Sequence, residues 1–212
     1  MLKRIAFYLS SSEIENFFKT NFSGDSLIEP HYNLARGQHI AVITEKDGES
    51  TLDRVRWGTK LENRKSKNKN GSPESFNEVL LEQATERCVI PMNGFYIWKD
   101  GREKDHPFFV RMMDNTPMAV AGVLIKSDDG NTYCEMLQTE ANTLVQPMTA
   151  TMPLMLNREF VTKWLDEEND ANDLAEKAKS LFLITDITVL RVSKKINDPA
   201  ENRPELIQPI PK

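Results

Sequence analysis

Histidine, cysteine and paired carboxylates carry most side-chain chemistry, and in this sequence they are scarce or scattered. The three histidines, His31, His39 and His106, stand apart, outside any HxxEH or HxH arrangement. Each reads as a surface or hydrogen-bonded histidine rather than a metal ligand or base. Cys88 and Cys134 are far apart in the chain, with no CxxC and no histidine-rich neighbourhood. That pattern signals neither a zinc site nor a disulfide framework, so both are expected as reduced, buried thiols. GxSxG, GxxxxGK[ST] and GxGxxG are all absent, and the carboxylates nominate no acid–base pair. One cluster does invite a partner. Residues 59–72 carry Lys60, Arg64, Lys65, Lys67 and Lys69 between Asn63, Asn68 and Asn70, with almost no apolar residues. A basic flexible loop of this kind suits nucleic-acid phosphates, or a solvated charged face.

The elements that would position these groups follow from periodicity and turn chemistry. Residues 5–9 read as a short strand. Ser12 to Glu15 reads as a capping box, opening a helix with Ile14, Phe17 and Phe18 on its apolar face. Residues 24–33 read as a loop. Residues 39–44 and 51–57 alternate on either side of Lys46-Asp47-Gly48-Glu49, which predicts a hairpin. Pro73 and Glu74 open a helix through Phe76, Val79, Leu80 and Ala84, ending near Arg87. Strands are expected over 89–90, 95–98, 107–112, 118–125 and 133–138. The turn signals between them are Asp100-Gly101, Asp114-Asn115 and Asp128-Asp129-Gly130. Asn157 and Asp170 cap two further helices, a strand follows over 187–192, and the proline-rich tail, 199–212, reads as extended.

Successive hairpins with a few flanking helices predict an α+β fold, its antiparallel strands curled into a barrel-like core. With 212 residues, 39% of them hydrophobic, the chain is read as one domain over 1–212. Its net charge of −5 means that any polyanion must be met by a local basic patch. No apolar run approaches the ~20 residues of a membrane span, and the N-terminus does not read as a signal peptide. A cytoplasmic protein with no metal, no cofactor and no membrane partner is expected.

Four segments then resemble one family. Tyr32-Asn33-Leu34-Ala35-Arg36-Gly37-Gln38 is similar to the YNxAPxQ signature of the SOS-response-associated peptidase (SRAP) family, the abasic-site-processing proteins, and Trp57-Gly58 follows at the family's distance. The run from Arg87 to Trp98, RCVIPMNGFYIW, resembles RCLIPxDGFYEW. Thr139-Glu140-Ala141-Asn142 resembles TTxAN, and Met152 to Leu156 resembles RMPVIL. The order and spacing hold from the first residue almost to the last. The resemblance implies that fold, and a reaction at abasic sites in single-stranded DNA. A cysteine exposed by removal of Met1 condenses, through its amine and thiol, with the open-ring aldehyde to give a thiazolidine. A glutamate and a histidine move the protons, and an NAR motif holds the lesion.

Placed residue by residue, that machinery is missing here. Position 2 is Leu2, which has no thiol and normally blocks methionine removal. The family glutamate falls on Ile97 and the histidine on Thr149. Arg4 matches the arginine of the family's start, Thr139 matches the threonine of TTxAN, and Asn63-Arg64-Lys65 falls where NAR is expected. These are the candidate DNA contacts, and no catalytic side chain is retained. Three functions stay open at this point. One is a catalytically degenerate relative that still binds single-stranded DNA. Another is an active abasic-site-processing enzyme, and the third is a cleft repurposed for a small molecule or peptide.

Overall fold

The structure is a computed structural model and describes residues 2–19, 29–58, 72–99, 106–181 and 186–210. The basic segment at 59–71, with Asn63, Arg64 and Lys65, lies outside the described residues, as does the Asp100-Gly101 turn signal.

Strand β1 (Arg4–Phe7) is followed by helix α1 (Ser11–Phe18). Ser10 is the N-cap, not Ser12: its hydroxyl accepts from the Glu13 amide, and the Glu13 carboxylate accepts the Ser10 amide at 2.8 Å. The expected loop over 24–33 gives way to β2 (His31–Ala35), because pairing with β1 sets Ile5 against Leu34 and Phe7 against His31. Strands β3 (His39–Lys46) and β4 (Glu49–Trp57) form the predicted hairpin. Asp47 and Gly48 both take positive φ, 53° and 79°, the turn whose twist matches that of the strands. Helix α2 (Pro73–Gln83) stops short of Arg87, since residues 86–92 belong to β5 (Glu86–Met92). Strands β6 (Gly94–Trp98), β7 (Pro107–Met112), β8 (Met118–Lys126) and β9 (Thr132–Met136) complete the main run. Short strands β10 (Gln138–Glu140), β11 (Thr151–Pro153) and β12 (Met155–Leu156) follow. Then come α3 (Arg158–Leu165), capped by Asn157, α4 (Ala171–Ala178), capped by Asp170, and β13 (Ile187–Arg191).

The barrel expectation holds. Strand β8 pairs with β5, β5 with β3, β3 with β4, β4 with β9 and β9 again with β8, closing a ring of five. The β4–β9 seam is parallel, Arg56 beside Tyr133 and Trp57 beside Cys134, and closure leaves this sheet few free edges. Gly122 on β8 explains one tight spot: a Cβ there would lie 2.1 Å from Ile90 and 3.1 Å from the Cys88 sulfur. Beside it the Cys88 and Cys134 thiols, distant in sequence, come within 3.8 Å of one another, both fully buried and unbonded. Helix α3 closes this side, and its Trp164 indole N–H donates to the carbonyls of Cys88 and Gly122.

A second, antiparallel sheet runs in the order β13-β7-β6-β1-β2. Strand alternation gives it two apolar faces. Ile5, Phe7, Phe95, Ile97 and Val110 join the barrel core. Ala6, Tyr96 and Phe109 turn the other way and are covered by Val192, Ile196 and Leu206 from the C-terminal segment. The tail, 199–212, is therefore extended only in part: residues 204–207 form a 3₁₀ turn with Leu206 buried, and another such turn, 194–197, precedes it. Asn33 is its clasp. Its side-chain amide donates to the carbonyls of Ile196, Asp198 and Glu201 at 3.3, 2.9 and 3.1 Å. Tyr32 adds a backbone bond to Asn202. Asn33→Ala strands those buried carbonyls, which costs about 1–3 kcal/mol. Limited proteolysis is expected to cut the variant first within 196–207, while the parent resists.

Candidate functional site

A cleft of about 380 Å³ opens beside the start of β1. Leu2 and Lys3 form one wall, the end of β6 another, and the segment from Met148 through β11 a third. The site depends on how these pieces are held. Strand β6 runs antiparallel to β1, with Ile5 opposite Phe95 and Ala6 opposite Gly94, which brings Ile97 towards the start of the chain. On its other side β6 packs closely on β7: a Cβ on Gly94 would meet the Val110 carbonyl oxygen at 2.3 Å. Thr149 is set by the turn before it. The Asn142 side-chain oxygen accepts from the amides of Leu144 and Val145, and Ala141 then bonds to Ala150 across the base of the turn. The pairing Thr139–Met152 between β10 and β11 fixes the third wall.

The three positions singled out in the sequence, Leu2, Ile97 and Thr149, therefore meet in one cavity. Its chemistry is sparse. Among the described residues lining it, none is a carboxylate, an imidazole or a thiol. The ionisable members among them are Lys3 and Tyr96. The Tyr96 hydroxyl donates to the Tyr32 carbonyl at 2.7 Å, and burial pushes its pKa far above the usual phenol value, so it is neutral. Thr149 has a hydroxyl, but among the described lining residues there is no imidazole or carboxylate to take its proton. Such a cleft is equipped to bind, through apolar contact and a few neutral hydrogen-bonding groups, more than to transfer protons.

The remaining candidates are dispersed. Arg4 is half-buried on β1 opposite Ala35, outside the cleft lining, and burial lowers its pKa from the ordinary guanidinium value. Thr139 is buried on β10 and faces a different hollow, of about 410 Å³, shared with Asn142, Glu74 and Lys179. Asn63, Arg64 and Lys65 fall outside the described residues. A larger hollow of about 690 Å³ lies between α2 and the turn before α4, but Glu78, Glu82, Glu86, Glu167, Glu168 and Asp170 line it. Burial and the neighbouring Glu167 hold the Glu86 carboxyl above its usual range, and that concentration of negative charge disfavours a phosphate ligand. Among the described residues, no group of three or more His, Cys, Asp or Glu side chains is placed to hold a metal ion. No described helix is long and apolar enough to cross a membrane.

The model for the SOS response associated peptidase (SRAP) family matches residues 1–199. The chain belongs to that family. Among its relatives, the abasic site processing protein YoqW of Bacillus subtilis is 28% identical over 213 residues, covering 92% of this chain and 93% of the relative. YedK of Escherichia coli, also named an abasic site processing protein, is 24% identical over 194 residues and 84% of each chain. A solved structure from Bacteroides thetaiotaomicron superposes with a TM-score of 0.74 at 16% identity, over 98% of this chain and 99% of that one. A Bordetella bronchiseptica structure gives 0.66 at 15% identity, over 90% and 99%. These likenesses are to the fold.

Several SRAP signature residues turn out to be fasteners here. Asn33 clasps the tail. Arg87 donates to the carbonyls of Asp166 and Asn169 at the end of α3, and lies over the Trp164 ring. Asn142 ties the turn before Thr149, and Asn93, which stands where the signature has aspartate, accepts from the Tyr8 amide at 2.6 Å. A family signature can thus persist for reasons of folding after its chemical positions have changed. Two residues of the site escape a reading of the sequence. Gln138 looks like the end of a strand, yet it lines the cleft because alternation sends its neighbour Thr139 the other way. Asn77 on α2 bonds both the amide and the carbonyl of Gln138, at 2.9 and 2.7 Å, and so holds that strand in place.

Proposed function

We propose that this chain is a SRAP protein that holds single-stranded DNA without becoming covalently attached to it. The reading rests chiefly on one observation. Leu2, Ile97 and Thr149 converge on a single cleft whose described lining residues include no thiol, carboxylate or imidazole. The relatives named abasic site processing proteins suggest the setting of damaged DNA. The basic segment with Lys60, Arg64, Lys65, Lys67 and Lys69 suggests the phosphate contacts. In the sequence that segment precedes α2, whose Asn77 is tied to the cleft wall at Gln138. Asn63, Arg64, Lys65, Arg4 and Thr139 remain the proposed DNA contacts.

Two measurements test this. Fluorescence anisotropy with a single-stranded oligonucleotide is expected to show binding at low salt that weakens steeply as salt rises, with little dependence on sequence. Incubation with abasic single-stranded DNA, followed by a denaturing gel, is expected to show no retained band. A covalent adduct would restore the enzymatic reading, and absence of binding at low salt would end the DNA reading.

A further inference from the structure

Resting on that reading, we infer that the cleft is a pocket for an intact nucleobase, such as adenine, with Gln138 reading its edge. Gln138 is 9% exposed. Its backbone is engaged by Asn77, but its side-chain carboxamide has no hydrogen-bond partner among the described residues and lines the cleft. A carboxamide that faces a cleft without a protein partner is available to a complementary ligand. The carboxamide offers a donor and an acceptor in one plane. The partner it matches is a flat ring with an adjacent acceptor and donor, and adenine presents that pair to glutamine in a bidentate geometry.

The rest of the cleft agrees. Leu2, Ile97, Met148 and Met152 supply apolar walls, and methionine sulfur packs well against aromatic rings. The volume, about 380 Å³, falls within the range of about 300–1,000 Å³ typical of small-ligand pockets. Lys3, exposed at the rim, adds positive charge where a phosphate would emerge. A base-free, open-ring sugar fits worse: it would leave the apolar walls wet and the carboxamide unanswered. On this inference the substitutions at positions 2, 97 and 149 changed what the cleft accepts, besides removing a reaction.

The test uses the whole protein and three probes. One is a single strand made of tetrahydrofuran residues, which have neither base nor aldehyde. Another is the same strand carrying one central adenine nucleotide, and the third is free adenosine monophosphate. Anisotropy is expected to show the adenine strand binding about tenfold tighter than the base-free strand, a difference of one well-made hydrogen-bonded contact. Gln138→Leu is expected to abolish that difference; its melting temperature is checked against the parent. The comparison of strands on the parent protein needs no variant. Equal binding of both strands, or tighter binding of the base-free one, overturns the nucleobase pocket and leaves DNA binding standing. If neither strand binds but adenosine monophosphate does, seen by saturation-transfer NMR and lost in Gln138→Leu, the pocket stands and the DNA reading falls. If no probe binds, both fall.

Discussion

Replacing three side chains, Leu2→Cys, Ile97→Glu and Thr149→His, is expected to turn a chain that leaves abasic single-stranded DNA free into one retained on it through a denaturing gel. The argument is geometric. The three residues already line one cavity of about 380 Å³, held by the β1–β6 pairing and by the Asn142 turn, neither of which depends on the side chains exchanged. Leu2→Cys supplies a thiol beside the terminal amine and also a small residue that permits removal of Met1. Those are the two groups a stable ring with an aldehyde requires. Ile97→Glu places a carboxyl where the present side chain is 5% exposed. Burial favours the protonated form, which suits a proton donor. General acid–base help is worth about 10²–10⁴ in rate, so Leu2→Cys alone is expected to react slower than the triple variant by about that factor. The measurement is the time course of the retained band, with intact mass to follow Met1. A triple variant that folds, loses Met1 and still forms no adduct would show that the cleft geometry has drifted along with its side chains.

The second large effect concerns stability. Arg36 stands where the family signature has proline, and its guanidinium bonds both carboxylate oxygens of Glu135, at 2.7 and 3.0 Å. Glu135 is 2% exposed, and the same guanidinium lies 5.5 Å from the Trp57 ring centre. A Cβ on Gly58 would come within 3.1 Å of it. Arg36→Leu takes this guanidinium away from a buried carboxylate, at a cost of up to about 3–5 kcal/mol. Glu135→Leu is expected to cost less, because the Arg36 side chain, 18% exposed, retains some water. The double replacement is expected to recover most of the loss, since neither charge is then stranded. In a chain of this size the worse single variant should melt about 10 °C lower, with the double variant between it and the parent. Additive losses in the double variant would mean that the pair does not interact as drawn. The pair sits where Gly58 bonds to the Cys134 carbonyl, at the entrance to the basic segment, so the single variants should also weaken DNA binding.

Much of the fold could be read locally. The hairpin at Asp47-Gly48, the helix caps Asn157 and Asp170 and most of the strands are short-range consequences of period and turn chemistry. The same reading misplaced the cap of α1, because Ser10 and Ser12 both precede acidic residues three positions on and only backbone geometry selects between them. It also ran α2 on to Arg87, since nothing in that window reveals that β8 is waiting to pair with residues 86–92.

For the site, the linear order of residues was enough to name Leu2, Ile97 and Thr149 and to state which functional groups they lack, because an ordered series of motifs fixes alignment without coordinates. What the order of residues could not contain is proximity. That these three share a cleft, that Gln138 faces it and Thr139 does not, that Cys88 meets Cys134, and that Glu135 neutralises Arg36 all follow from strand pairings between distant segments. Side-chain type is written at each position, but burial, and with it the cost of an unpaired charge, exists only once the barrel closes and excludes water.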